Sequence, residues 1–279
     1  FTSGPAWTGD DGLFRVNGDL QLQLYDETAG EAGLYSSAGL YSAMEWCCRV
    51  KLSFSPSANN NGRIYLWTGP GDTLKPPDGI FLQFGEGGSD DAIRLMLQEG
   101  GDTSTLIRGN TGTIAGSFDC RVKVVFEGGL WQLYADHAGS GSFLPEGNCY
   151  GDLPDSNGNI GVFCKYTSSN SRKFYFDDFY AGPVQYDTIP PEALQVAILP
   201  PDGLEVVFSE ALEEESACLT DNYFVDGGVG HPVACYPANG NPSVMMLQFA
   251  HELPYGILLK LAAGGVKDLS GNAMLPDTL

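Results

Sequence analysis

Short runs of alternating apolar and polar residues, separated by Gly, Asn, Asp and Pro, fill the first two thirds of the chain. In residues 45–54, Trp46, Cys48, Val50 and Leu52 share one face, and the residues between them lie on the other. A period of two residues is that of a β-strand with one buried face. Helical periodicity is nearly absent, so the pattern predicts antiparallel strands.

Further runs of the same kind predict strands at residues 63–67, 80–85, 93–98, 121–126, 130–136, 160–166 and 173–180. Gly128 and Gly129 lie between two of these runs, and glycine readily adopts the positive φ angles of a tight hairpin. Short strands in this number, joined by turns, predict a β-sandwich.

The alternating pattern of apolar and polar residues ends at residues 182–191, where Gly-Pro and then Pro-Pro occur. Proline cannot extend a sheet ladder and stiffens a linker. We therefore predict two domains, 1–186 and 187–279. The second domain has strand patterns at 193–198, 203–209, 222–225, 244–249 and 257–262, and an acidic segment at 210–217 that predicts a loop or one helical turn.

The charge balance removes several classes of function. The 279 residues include 14 Lys and Arg against 35 Asp and Glu, a formal net charge of -21. Nucleic acids and anionic lipid surfaces would repel such a chain, so neither is an expected partner. No stretch of sequence has the roughly 18 apolar residues that a membrane span needs. The chain starts at Phe1, and we expect it to be part of a longer, exported, multidomain protein.

The seven cysteines do not form C-x-x-C pairs, so neither a zinc site nor a redox motif is indicated. The favoured interpretation is buried thiols that pack as small apolar groups, with a bridge between Cys218 and Cys235 left open.

The second domain resembles the bacterial Ig-like modules of secreted and surface proteins. The resemblance rests on Asp-Thr-Ile-Pro-Pro at 187–191, Leu-Glu-Val-Val-Phe-Ser-Glu at 204–210, Asp-Asn-Tyr at 221–223 and Val-Lys-Asp-Leu-Ser-Gly-Asn-Ala-Met at 266–274. Such modules act as spacers, adhesion elements or companions of catalytic domains, so the resemblance implies an Ig-like β-sandwich outside the cytoplasm.

The first domain resembles a concanavalin A-like lectin/glucanase sandwich, or jelly roll, of the laminin-G-like kind. Gly-Leu-Trp-Gln-Leu-Tyr-Ala-Asp at 129–136 and Phe-Asp-Asp-Phe-Tyr at 176–180 carry this resemblance. Members of that superfamily bind glycans or proteins, some hydrolyse polysaccharides, and many hold calcium. A hydrolase of the glucanase type would carry Glu-x-Asp-x-x-Glu or Glu-x-Asp-x-Glu, and neither pattern is present.

Sugar binding needs aromatic rings that are out of phase with the core, so that they stack on pyranose faces. Trp7, Tyr65, Trp67 and Tyr134 meet this condition, and for Tyr65 and Trp67 the alternative is a strand covered on both faces. Asp177 and Asp178 are the candidate calcium ligands, with a purely structural role as the favoured alternative.

The sequence thus predicts a secreted or cell-surface, non-enzymatic protein that recognises a carbohydrate or an extracellular protein, with the second domain as a spacer. Two alternatives remain open: a polysaccharide hydrolase whose carboxylates come from separate strands, and a purely structural or adhesive fragment.

Overall fold

The computed structural model describes residues 6–69, 75–238 and 240–279. Contacts divide the chain into two compact units, one ending at Gln185 and the other beginning at Tyr186. Each unit is built from antiparallel strands around its own hydrophobic core. Among the described residues, no helix has the length and apolar character to cross a membrane.

The described strands of the first unit form two seven-stranded sheets. Sheet I has the order β1-β4-β13-β6-β7-β8-β9, and sheet II has the order β12-β11-β10-β5-β14-β3-β2. In chain order the strands are β1 (Thr8–Gly9), β2 (Phe14–Val16), β3 (Leu22–Leu24), β4 (Gly30–Ala38), β5 (Met44–Leu52), β6 (Asn61–Thr68), β7 (Gly79–Phe84), β8 (Arg94–Glu99), β9 (Asp102–Arg108), β10 (Phe118–Glu127), β11 (Leu130–Asp136), β12 (Leu144–Tyr150), β13 (Gly158–Tyr166) and β14 (Phe174–Gly182), with a short 3-10 helix at Asp11–Leu13.

The main core of the first unit lies between the two sheets. Sheet I contributes Ile64 and Leu82, and sheet II contributes Val50 and Val124, all buried in one cluster. Because alternate residues of each strand point into this layer, the period-two pattern of the sequence follows directly from the sandwich. The predicted strands of the first domain are confirmed, while β2, β3, β4, β9 and β12 lacked a clear alternating pattern.

Sheet I is also covered on part of its outer face. Tyr65, Phe81, Met96 and Phe163 form a second buried cluster there. The segment that precedes β7 closes over this cluster, since the Tyr65 hydroxyl donates a hydrogen bond to the Pro77 carbonyl oxygen at 3.0 Å. Tyr65 is only 1% exposed, so the prediction of an exposed ring at this position is wrong.

The predicted hairpin between β10 and β11 is confirmed. Gly128 and Gly129 have φ angles of 58° and 80°, which side chains other than glycine rarely adopt. All seven cysteines are free thiols, so Cys218 and Cys235 are not bridged in this structure.

The second unit has a four-stranded sheet, β15-β16-β19-β18, and a three-stranded sheet, β17-β20-β21, with a shared core that includes Val206, Met245 and Tyr223. Its elements are β15 (Ala193–Leu199), β16 (Gly203–Phe208), α1 (Glu214–Ala217), a 3-10 helix at Thr220–Asn222, β17 (Tyr223–Val225), β18 (Ala234–Ala238), β19 (Asn241–Gln248), β20 (Leu261–Ala263) and β21 (Asp277–Thr278). For the segment 210–217, where the sequence predicts a loop or one helical turn, the structure has one helical turn, α1. The last predicted strand begins four residues later than expected, at Leu261.

Candidate functional site

A β-bulge in β6 sets the position of Trp67. Tyr65 pairs with Phe81 of β7, but Trp67 pairs with the very next residue, Ile80, so one residue of β6 is left over between the two pairs. Phe81 belongs to the outer cluster, whereas Ile80 belongs to the core between the sheets. The extra residue therefore moves Trp67 away from the face that carries Tyr65.

Trp67 lines a cleft of about 520 Å³ at one end of the first unit, which we call the end cleft. Its lining comes from β6, β7, β8 and β9 of sheet I, from β11 and β12 of sheet II, and from the segment that follows β12. The lining includes Trp67, Asp78, Trp131, Tyr150 and Asp152. The volume lies within the range of small-molecule sites, roughly 300 to 1,000 Å³.

Three aromatic side chains give the end cleft its apolar character. Trp67 is half-buried and donates a hydrogen bond from Nε1 to the Ser156 carbonyl oxygen at 2.9 Å, which fixes the ring. Trp131 is 1% exposed and stacks on Trp46 with ring centroids 5.6 Å apart. Tyr150 is 81% exposed and lies at the rim. The cleft therefore combines a rigid floor with an accessible ring.

Carboxylates supply the polar part of the lining. Asp78 Oδ2 accepts a hydrogen bond from the Gly100 amide at 2.6 Å, and Oδ1 accepts one from the Gly101 amide at 3.2 Å. Both hydrogen bonds lower the pKa of Asp78 below its usual range, and the bond from the Gly100 amide has the larger effect. Glu99 and Asp152 are exposed carboxylates of the same lining. The cleft thus offers several acceptors for hydroxyl groups.

Two other predicted aromatics lie outside the end cleft. The Tyr134 ring is half-buried with Lys123 Nζ 5.4 Å from its centroid, and burial raises the pKa of its hydroxyl. Trp7 packs edge-on against Phe179, with centroids 5.5 Å apart, at the border of the main core. The four predicted residues therefore do not form one site, and Trp67 alone of them lines this cleft.

The predicted calcium ligands lie among arginines. Asp178 Oδ2 is 2.6 Å from Arg121 Nη2, and Asp177 is the cross-strand partner of Arg49. The Asp178 backbone has a φ of 52°, within a bulge of β14, and the Asp177 side chain accepts a hydrogen bond from the Asp178 amide. Among the described residues, the Arg121 guanidinium pairs with Asp178, whereas Arg49 pairs with Asp119, so only one of the two predicted ligands has an arginine as its counter-ion.

A group of three carboxylates, which we call the acidic cluster, lies in the second unit. Oxygens of Asp187, Glu210 and Asp268 are within 4.8 Å of one another. Asp268 is buried, and its oxygens accept hydrogen bonds from the Ser270 and Asn272 amides and from the Asn272 side chain. Among the described residues, these are the carboxylates with the spacing to share a cation.

Sequence reasoning missed most of the end cleft. Asp78 follows Pro76 and Pro77 in a turn, so the available signal was a turn-forming carboxylate with no indication of its neighbours. Tyr150 lies in β12, whose residues are largely exposed and show no regular alternation. Asp78 lies beside Trp67 because β7 pairs with β6, whereas Tyr150 belongs to the other sheet and meets Trp67 only because the two sheets pack together.

The first unit is similar in structure to solved domains of other proteins. The exoplasmic/lumenal domain of VIP36 in its Ca²⁺/Man-bound form aligns with a TM-score of 0.52 at 12% identity, covering 67% of this chain and 86% of that one. Its metal-free form aligns with a TM-score of 0.51 at 10% identity, covering 65% and 85% of the two chains. A legume lectin-like domain from Entamoeba histolytica gives a TM-score of 0.46 at 11% identity, covering 64% and 90%.

No model of a known protein family and no curated protein matches the sequence. At these identities the structural similarity establishes the fold. The first unit thus has the β-sandwich fold of the VIP36 exoplasmic/lumenal domain, which is consistent with the sandwich that the sequence predicts.

Proposed function

We propose that the first unit is a non-catalytic carbohydrate-binding domain and that the end cleft is its binding site. The observation that carries the proposal is a cleft of about 520 Å³, with a fixed tryptophan and an exposed tyrosine, in a sandwich of the lectin kind. Mannose, which the VIP36 structure contains, is the first sugar to test.

The end cleft complements both surfaces of a sugar ring. Trp67 and Tyr150 supply aromatic area for the C–H face of a pyranose, and Asp78 and Asp152 supply acceptors for its hydroxyl groups. Because the Asp78 carboxylate is held by two backbone amides, it needs little reorganisation when a ligand arrives.

A polysaccharide hydrolase is the alternative of a different class. Its general acid must be protonated near neutral pH, which requires a raised pKa. The pKa of Asp78 is lowered instead, by hydrogen bonds from Gly100 and Gly101. Asp78 is therefore not suited to be that general acid.

The remaining assignments are also proposals. We propose that the second unit is an Ig-like spacer and that the protein works outside the cytoplasm, as part of a secreted or surface-attached chain of bacterial type that recognises or adheres to glycans. Calcium is the proposed ion, supported by the Ca²⁺-bound form of VIP36 and by the acidic cluster, which lies in the other unit. A calcium requirement for sugar binding would therefore have to come from a site in the first unit. Sugar-binding measurements in EDTA test for such a site.

The first test is a glycan array followed by titration calorimetry with mannose and the best array ligand, in calcium and in EDTA. Trp67→Ala should weaken binding about tenfold or more, as loss of a central aromatic contact does. Tyr150→Ala, at an exposed position, should weaken binding without altering thermal stability.

Tyr134→Ala is the matched control, since its ring is half-buried but lies outside the cleft, and it should bind as the unaltered chain does. Retained affinity in both Trp67→Ala and Tyr150→Ala would refute the end cleft as the site. An array without any ligand would favour the structural or protein-binding alternatives, and release of reducing sugar from a bound glycan would favour the hydrolase.

A further inference from the structure

The outer face of sheet I carries a row of side chains with an unusual charge pattern. Direct cross-strand pairs join Phe163 to Arg63, Arg63 to Gln83, Gln83 to Arg94, and Arg94 to Arg108. Directly paired residues of an antiparallel sheet lie on the same face, so three arginines and an amide follow one line across five strands. Basic residues are scarce in the first unit, since residues 1–185 include 12 Lys and Arg against 22 Asp and Glu.

Part of this row lines a second cavity of about 430 Å³, which we call the face pocket. Arg63, Arg94 and Lys165 contribute positive charge to its lining, and Glu31 and Glu86 contribute negative charge. Three cations against two anions leave one positive charge in excess. The face pocket is distinct from the end cleft, with which it shares no lining residue.

Arg63 is the cation that lacks a carboxylate partner among the described residues. Lys165 Nζ lies 3.6 Å from Glu31, and Arg94 Nη1 lies 3.4 Å from Glu86. Arg63 instead bonds through Nη1 to the Tyr65 hydroxyl at 3.1 Å and to Gln98 Oε1 at 2.9 Å. A partly buried guanidinium without a counter-ion is costly, and an anion placed there would be stabilised.

The Arg63 side chain is held ready for such an anion. Its guanidinium carbon lies 4.3 Å from the Phe81 ring centroid and 5.7 Å from that of Phe163, so the planar group packs against aromatic rings. Together with the two Nη1 hydrogen bonds, these contacts restrict its orientation. Little side-chain entropy would be lost on binding.

Two buried donors of the face pocket are unsatisfied. Nε of Arg63 and Nε of Arg94 are shielded from solvent and have no hydrogen-bond partner among the described residues. Such atoms are rare in folded proteins, because a buried donor without a partner costs free energy. Both arginines belong to the same row with one strand between them, so their α-carbons lie roughly 10 Å apart, a gap that two arginine side chains can span towards one ligand.

We propose that the face pocket binds a saccharide residue that bears a carboxylate, a uronic acid. The carboxylate would accept hydrogen bonds from the guanidinium groups of Arg63 and Arg94. Gln83 and Glu31 offer partners for ring hydroxyls, while Phe163 and Met96 offer apolar contact to the ring carbons. This site has a lining separate from that of the end cleft, although Arg63 bonds to Gln98 of that lining, and it does not rest on the function proposed there.

The experiment is ligand-observed NMR with the full chain and a panel of glucuronate, galacturonate and mannuronate and their short oligomers. Each is compared with the matching neutral sugar and with acetate. At least one uronate should bind about tenfold more tightly than its neutral counterpart, because loss of a charged hydrogen bond costs that much or more. Raising the salt concentration should weaken binding.

The Arg63→Gln variant should have an affinity for uronate that is lower by about tenfold or more, with an unchanged circular dichroism spectrum. Arg121→Gln is the matched control, because Arg121 pairs with the exposed Asp178 on sheet II, and it should bind normally. Trp67→Ala should also bind uronate normally, which separates this site from the end cleft. Equal affinity for acetate and uronate, unchanged binding in Arg63→Gln, or a panel without any bound uronate would each overturn the proposal.

Discussion

Among single residues, Glu210 is the acid whose surroundings most oppose its charge. Its pKa is raised from 4.5 to about 7. Burial is the largest cause, and the neighbouring carboxylates of Asp187 and Asp268 add to it. An unfolded chain removes both influences, so the unfolded pKa is near the ordinary value. The folded state therefore holds a proton on Glu210 at pH values where the unfolded state has lost it.

This difference predicts how stability changes with pH. Between about 4.5 and 7, rising pH removes a proton more easily from the unfolded state, so the Glu210 contribution to the free energy of unfolding falls. In EDTA, the free energy of unfolding of Glu210→Gln should exceed that of the unaltered chain by an amount that grows across this pH interval and is constant above it. Denaturant unfolding of both chains at several pH values measures it. A constant gain at all pH values would contradict the assignment.

Tyr65 and Trp67 show how strongly two neighbouring positions can diverge. Both are aromatic and share a parity in the sequence, yet Tyr65 is 1% exposed under the Pro76–Pro77 segment and Trp67 lines an open cleft. The alternation rule assumes an uninterrupted ladder, and the bulge between these residues breaks it. A sequence pattern of a few residues contains no sign of this bulge.

At the scale of elements, the close approach of β13 to β6 keeps Trp67 in place. A Cβ atom at Gly158 of β13 would overlap the Thr68 carbonyl oxygen and the Trp67 ring nitrogen. Only glycine leaves room for the indole to reach the Ser156 carbonyl oxygen.

Gly158→Ala should therefore lower the free energy of unfolding by about 2 kcal/mol, as overpacking does, and should weaken sugar binding in the end cleft. Gly116→Ala is the matched control, because a Cβ atom there meets no atom within 4 Å, and both properties should be unchanged. Thermal unfolding and calorimetric titration test the pair. Normal stability and affinity in Gly158→Ala would show that the strands adjust without moving Trp67.

At the scale of the whole molecule, the two units have separate cores. The end cleft and the face pocket are lined entirely by residues of the first unit. We therefore propose that residues 1–185 fold independently and keep both proposed binding sites.

A chain truncated after Gln185 should unfold in one cooperative transition and bind sugars with the affinity of the full chain. Calorimetry of the full chain should resolve a second transition that the truncated chain lacks. Loss of cooperative unfolding or of binding on truncation would show that the second unit takes part in stabilising the first.

The sequence by itself determined the all-β class, most of the long strands and the Gly128–Gly129 hairpin. These features depend on local patterns, namely alternation along a strand and the φ angles open to glycine. Only the tertiary structure decided which aromatics are accessible, that Arg121 pairs with Asp178, and that Arg63 and Arg94 form a row. Those properties depend on register, bulges and segments folded over a sheet, which join residues far apart in the chain.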